Sequence, residues 1–166
     1  MQQVWWLADT HFGHGDNILR FRPQFQSALE HDLTIVSNIN TVVKPNDTLV
    51  LAGDILIRSS GLWCLEALHC KNIILVPGNH DGERCDIPEF IFKRITATHV
   101  TKIDNTVAVT THIPIHPSTL TRWKINIHGH LHDDVIDDPR YINVSCEQTG
   151  YQPVNKAWIN TRFKRI

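Results

Sequence analysis

Hydrophobic residues in this chain come either in short unbroken runs or at steps of three and four, and the two patterns alternate through the first half. Gln3–Ala8 is apolar and aromatic and predicts a buried strand. Leu29, Leu33, Val36, Ile39 and Val43 recur at helical spacing and predict a helix over 27–43 with these residues as its inward stripe. Ser27 is suited to cap that helix, with Glu30 three residues later completing a capping box. Lys44-Pro45-Asn46-Asp47 ends it in a turn. Thr48–Ala52 predicts a second strand closed by Gly53-Asp54, Gly61–His69 a short helix, and Asn72–Val76 a third strand stopped by Pro77-Gly78-Asn79. Segment 83–94 is interrupted by Pro88 and shows neither pattern. In the second half Thr98–Ile103, Val107–Thr111, Ile125–His128 and Tyr141–Ser145 all read as strands. The tail Ala157–Lys164 has no clear period and leaves room for a final edge strand. The order β-α-β-α-β followed by mostly β predicts an α/β domain whose second half supplies another sheet, with helices outside.

Composition narrows the class. The 166 residues fit one domain, 1–166, long enough to bury a core without disulfides or a structural metal. A hydrophobic fraction of 42% with 20% charged residues argues against disorder. Lys+Arg is 16 and Asp+Glu is 17, a net charge of −1, which argues against nucleic-acid binding driven by bulk positive charge. No apolar run approaches the roughly 20 residues of a membrane span. The start, Met1 to Ala8, reaches Asp9 with no basic segment, unlike a signal peptide, so the expected compartment is the cytoplasm. Cys64, Cys70, Cys85 and Cys146 form no Cys-x-x-Cys pair and are expected to be reduced thiols.

Histidine is the outlier. There are 11, beside 1 Met and 2 Tyr, and His11, His14, His80, His112, His116, His128, His130 and His132 fall in four short polar stretches. Imidazole is the commonest metal ligand and a frequent general acid. Several polar pieces directly follow or end expected strands: Asp9-Thr10-His11, Gly53-Asp54, Gly78-Asn79-His80-Asp81, Thr111-His112 and Gly129-His130-Leu131-His132. Strand C-terminal ends are where open α/β sheets place ligand sites. Residues two apart in extended chain point the same way, so Asp9 with His11, and His130 with His132, would each aim two donors in one direction. Each piece alone reads as a turn or a polar strand end. Together they supply a set of nitrogen and oxygen donors suited to first-row divalent metals.

The order and spelling of these pieces resemble the calcineurin-like metallophosphoesterases, whose signature runs Asp-x-His, Gly-Asp, Gly-Asn-His-Asp/Glu, His, Gly-His-x-His. The resemblance covers residues 9 to 132. It implies a four-layer α/β-β/α sandwich of two mixed β-sheets flanked by helices, the metallo-dependent phosphatase-like fold. It also implies two metals at the strand ends: Asp9, His11 and His132 on the first, Asn79, His112 and His130 on the second, and Asp54 bridging both. Four imidazoles among these donors disfavour magnesium and calcium. Manganese is the expected metal, with iron, zinc, cobalt or nickel as alternatives. His80 is the implied proton donor to the leaving group, with an orienting bond to Asp54 as its other role.

The small size and Asp9-Thr10-His11-Phe12-Gly13-His14 are similar to short bacterial or bacteriophage members. Ile57 stands where protein Ser/Thr phosphatases of this superfamily carry an acid, and the chain has no room for the capping domain of the family's DNA-repair nucleases. The leading expectation is therefore a phosphodiesterase on nucleotide-type substrates such as cyclic nucleotides. A phosphomonoesterase or nucleotide pyrophosphohydrolase is the alternative, marked by a second cation for a dianionic phosphate. A catalytically dead protein-binding scaffold ranks last, because no ligand position is lost. Around the site, His14, Arg22 and Arg58 are candidate substrate contacts, weighed against loop packing for His14 and solvated surface charge for the arginines. His116 is second-tier or surface, His128 points into a layer interface, the tryptophans are mostly core, and Trp123 is a candidate base-stacking ring.

Overall fold

The computed structural model describes residues 2–163. β1 (Val4–Leu7), β2 (Thr48–Leu51), β3 (Asn72–Leu75), β4 (Arg94–Ile95) and a late strand, β9 (Val154–Asn155), form a sheet in the order β4-β3-β2-β1-β9. β1 to β4 run parallel, with Leu7 opposite Leu51 and Leu51 opposite Leu75, while β9 is antiparallel to β1. Helices α1 (Ala28–Val42) and α2 (Leu62–Glu66) connect the first three strands. β5 (His99–Ile103), β6 (Thr106–Thr110), β7 (Ile125–His128) and β8 (Tyr141–Asn143) form the second sheet in chain order, antiparallel at its first pair and parallel after it. α3 (Cys146–Thr149) and α4 (Lys156–Phe163) complete the chain, and α4 packs on β5, β8 and β9. The fold is two mixed sheets flanked by helices.

Strand alternation divides the core in two. Leu7, Leu49, Leu51, Ile73 and Leu75 pack with Ile35, Ile39 and Leu65 of α1 and α2. Their neighbours Trp6, Ala8, Val50, Ala52 and Val76 turn the other way and pack with Ala108, Ile125, Ile127 and Ile142 of the second sheet. With both faces of the first sheet covered, its strands are unbroken apolar runs rather than alternating ones.

Two expectations are corrected. α1 begins as predicted, with Ser27 Oγ accepting the Glu30 N–H at 3.1 Å, but its buried residues are His31, Asp32, Ile35, Val36 and Ile39. Leu29 and Leu33 are 60% and 48% exposed. The helix is turned so that His31 and Asp32 reach Arg22 and the Gly13 N–H, polar partners that outweigh the apolar stripe. Glu30 also bonds the N–H of Gln26, one position before that of a capping box. The tail is α4 and not an edge strand: Asn155 Oδ1 accepts the Trp158 N–H at 3.1 Å at the helix start, and Ile159 is buried between the sheets. The pairing on β1 is made just before it, by β9. Lys164, the last residue of the expected strand, lies outside the described residues. Segment 83–94 holds a 3-10 turn at Glu89–Ile91 ahead of β4. The four cysteines are free, and among the described residues no helix is long and apolar enough to cross a membrane.

Candidate metal centre

The loops after β1, β2, β3, β6 and β7 meet at one end of the two sheets, the C-terminal end of each of these strands. β1 and β2 stay side by side beyond their last paired residues: the N–H groups of Asp9, His11 and Phe12 bond the carbonyls of Gly53, Asp54 and Ile55 at 2.9, 3.1 and 2.8 Å. Ala8 also bridges in parallel to Ser145, the continuation of β8, so Asp9 sits where the two sheets join. Two groups of donors result, Asp9 with His11 and His132, and Asp54 with His112 and His130, each with donor atoms within 4.8 Å of one another. Asp54 Oδ2 lies 3.2 Å from His112 Nε2 and 4.0 Å from His11 Nε2, facing both groups. Its other oxygen, Oδ1, accepts the His80 N–H at 2.8 Å, which fixes the carboxylate's orientation. Asn79 Oδ1 stands 3.1 Å from His112 Nε2. The structure thus gathers all seven residues that the resemblance assigns to metals.

They do not converge by extended-chain alternation. Asp9, His11, Asp54, His130 and His132 all have positive φ, between 50° and 73°. Such backbone costs on the order of 1–3 kcal/mol per residue and persists only where its surroundings enforce it. His130 and His132, expected to point together, belong to different groups. The enforcing contacts are visible. Asp9 Oδ2 accepts Ser145 Oγ at 2.8 Å and the His130 N–H at 3.0 Å. Asp81 accepts the N–H groups of Asp54 and Ile55, both at 2.8 Å, and that of Gly78 at 2.9 Å. Two motif glycines are required by close approach: a Cβ on Gly78 would overlap the Asp54 carboxylate, and one on Gly129 the Asp9 carboxylate.

The donor chemistry fits divalent cations. His112 Nδ1 lies 2.9 Å from the Ala52 carbonyl, which can only accept, so Nδ1 donates and Nε2 of the neutral ring carries its lone pair toward Asp54 Oδ2 and Asn79 Oδ1. With the ring neutral, three lone-pair-bearing atoms meet there, an arrangement relieved by a proton on Nε2 or by a bound cation. Burial pulls the His112 pKa down, but the adjacent Asp54 carboxylate outweighs it and the net direction is up. His132 Nδ1 donates to Glu147 Oε1 at 3.0 Å, which raises the His132 pKa and turns Nε2 toward Asp9 Oδ1, 3.9 Å away. His11 Nε2 is buried without a hydrogen-bond partner among the described residues, 3.9 Å from Asp9 Oδ1, and burial lowers its pKa. Unpaired imidazole nitrogens facing carboxylates are what a nitrogen- and oxygen-binding cation needs.

Beside this centre lies a cavity of about 460 Å³, with Ile18, Phe21 and Ile57 on its apolar wall and His14, His80 and Arg84 around it. His80 is half-exposed and its Nδ1 pairs with Glu83 Oε2 at 2.7 Å. The His14 ring is nearly parallel to Phe21, at 18° and 6.4 Å between centroids, and burial takes its pKa down to about 4. The expectation for Arg22 changes. Arg22 is neither a solvated charge nor free for substrate: it is 1% exposed and bonds Glu147 Oε1 through Nε and Nη2 at 2.8 and 2.7 Å. Arg58 is exposed, in keeping with a solvated surface charge, and Arg84 lines the cavity. His116 is a surface cap on a 3-10 turn, His128 is fully buried, and half-buried Trp123 carries the Arg122 guanidinium 5.6 Å over its ring. Asp81, Ser145, Glu83 and Glu147 were not singled out from the sequence. Asp81 and Glu83 lie inside or beside a motif block, whereas Ser145 and Glu147 have no motif near them.

A sequence model of the family described as calcineurin-like phosphoesterase matches residues 3–164. An uncharacterized protein of Methanocaldococcus jannaschii is 28% identical over 167 residues, covering 93% of this chain and 88% of that protein. The gene 66 protein of Mycobacterium phage L5 is 33% identical over 91 residues, 49% of this chain and 41% of its own length. Among solved structures, a protein of unknown function from Aquifex aeolicus shares the fold, with a TM-score of 0.76 at 24% identity, covering 97% of this chain and 99% of that one.

Proposed function

The chain belongs to the calcineurin-like phosphoesterase family, and from that premise we propose that it hydrolyses phosphodiesters of nucleotide type with two divalent cations. The observation that carries this reading is the pair of donor groups joined by Asp54 Oδ2. Asp9, His11 and His132 hold one cation; Asn79, His112 and His130 hold the other; Asp54 is shared. Bound there, the cations supply Lewis acidity toward phosphoryl oxygens and a water made nucleophilic near neutral pH. Manganese is the expected occupant, and iron, zinc, cobalt or nickel suit the same donors. His80, at the cavity edge and oriented by Glu83, gives the departing oxygen its proton.

The cavity supports a diester over a monoester. Its lining carries two arginines, Arg22 and Arg84, and two carboxylates, Asp133 and Glu147, so the formal charges cancel, although of these only Arg22 and Glu147 form an ion pair among the described residues. Such walls suit a monoanionic diester better than a dianionic monoester or pyrophosphate. Phe21, 71% exposed and nearly parallel to His14, offers a face for a planar base. The test is a substrate panel with manganese-reconstituted protein: a cyclic nucleotide, an aryl diester and the matching aryl monoester. Diester turnover is expected to exceed monoester turnover and to vanish on chelation. Faster monoester turnover would favour the phosphomonoesterase, equal rates with and without metal would overturn the two-cation reading, and no turnover of any ester would overturn the hydrolase reading.

A further inference from the structure

Arg22 reaches into the protein behind the centre. Besides its two bonds to Glu147 Oε1, its Nη2 donates to the Asp9 carbonyl at 2.6 Å and its Nη1 to the Thr10 carbonyl at 3.3 Å. Nη1 also lies 2.7 Å from His31 Nε2. Guanidinium only donates, so His31 Nε2 accepts, and its Nδ1 carries the proton that bonds Asp32 Oδ1 at 2.8 Å. Asp32 Oδ2 in turn accepts the Gly13 N–H at 3.2 Å. One buried cation thus grips the strained backbone that presents Asp9 and His11. Through Glu147, whose Oε1 also accepts His132 Nδ1, it grips the third donor of the same group.

The two groups touch through the His11 N–H on the Asp54 carbonyl, but the side chains of the other group are oriented by other atoms. Ala52 carbonyl fixes His112, Asp81 fixes the Asp54 backbone, and the His80 N–H fixes the Asp54 carboxylate. None of these is a partner of Arg22 or Glu147 among the described residues. His130 is tied by its N–H to the Asp9 carboxylate, not to the Asp9 carbonyl that Arg22 holds.

We infer that Arg22 and Glu147 are positioning residues for one half of the centre, the group Asp9, His11 and His132, so that the two cation positions can be weakened separately. The inference rests on the two-cation reading proposed above. An orienting partner behind a ligating histidine is generally worth about 10- to 100-fold in metal affinity. Here the same ion pair also anchors two further donors through their backbone.

The experiment is manganese titration by calorimetry, with electron paramagnetic resonance of the loaded protein as a second readout. Wild type is expected to bind two ions with a spin-coupled spectrum. The double variant Arg22→Met/Glu147→Leu removes both charges of the ion pair and leaves Asp32 on the His31 ring and the Gly13 N–H, and such apolar replacements of buried pairs are often tolerated. It should bind one ion at wild-type affinity and the other about 10- to 100-fold more weakly, giving a mononuclear signal after one equivalent. Glu147→Gln keeps an acceptor for His132 Nδ1 but removes the charge paired with Arg22, and should weaken that one site by a smaller, several-fold factor. If the double variant does not fold, Glu147→Gln decides: a several-fold loss confined to one site supports the inference, and unchanged titration overturns it. Equal weakening of both sites, or of neither, in a folded variant also overturns it. A wild type that binds no manganese and no other transition metal removes the two-cation reading itself, a result distinct from an unselective variant.

Discussion

His80 meets the site through two different atoms. Its N–H holds Asp54 Oδ1 at 2.8 Å, and its ring lies at the cavity with Nδ1 on Glu83. Alanine keeps the first contact and deletes the second. His80→Ala should therefore retain both cations in a metal titration while turnover falls by about 10²- to 10⁴-fold. The loss should be greatest for diesters with poor leaving groups and small for activated aryl diesters. Equal rates for poor leaving groups would remove His80 as the proton donor. At this scale the motif blocks were legible because chemistry demands particular residue types: imidazoles and carboxylates bind, and glycine admits a neighbouring carboxylate. Glu147 was not legible. It lies 15 positions from His132, and nothing in the local text pairs them.

Among the elements, Asp47 is the clearest joint. Its carboxylate accepts the Gln3 N–H at 2.8 Å, the Trp5 indole at 3.0 Å and the Lys44 N–H at 3.1 Å, tying the start of β1, the exit from α1 and the turn into β2. Burial pushes this carboxyl's pKa up, but the three donors outweigh it and the net direction is down. A folded value below the unfolded value, about 3.9, contributes stability that is present above about pH 4 and is lost as pH falls through the folded value. Asp47→Ala should cost about 1–3 kcal/mol at pH 7, because it leaves half-buried donors unpaired. Urea unfolding at pH 7 and again below pH 3 checks this, since the gap between wild type and variant should narrow in acid. An unchanged gap would remove the carboxylate's role. The turn residue itself was readable from Lys44-Pro45-Asn46-Asp47; its three partners were not. The orientation of α1 departs from its apolar spacing for a related reason. Apolar spacing predicted Leu29 and Leu33 inside, whereas the long-range bonds of His31 and Asp32 turned the helix away.

Taken as a whole, the molecule is two sheets whose loops contribute to one centre: Asp9, His11, Asp54 and Asn79 from the first, His112, His130 and His132 from the second. Cations bound only by the folded state cross-link the sheets and stabilise it by about 2.7 kcal/mol per site at 100 times Kd. For a chain of this length that corresponds to roughly 5–10 °C in Tm per site. Thermal melts of chelator-stripped and manganese-reloaded protein should differ by at least this amount, and identical melts would show that the donors do not bind the metal. The residue pattern by itself determined that alternating strands and helices would form, that donors would cluster at strand ends, and which residue types would be there. These are consequences of local periodicity and of the chemistry of single side chains. The division of the donors into two groups came with the family resemblance and not with periodicity; the tertiary structure alone decided that left-handed backbone aims them and that a buried arginine stands behind one group. It also decided that the last segment is a helix. Each of these depends on contacts between residues far apart in the chain, and no local pattern of hydrophobic and polar positions encodes which distant partner will arrive.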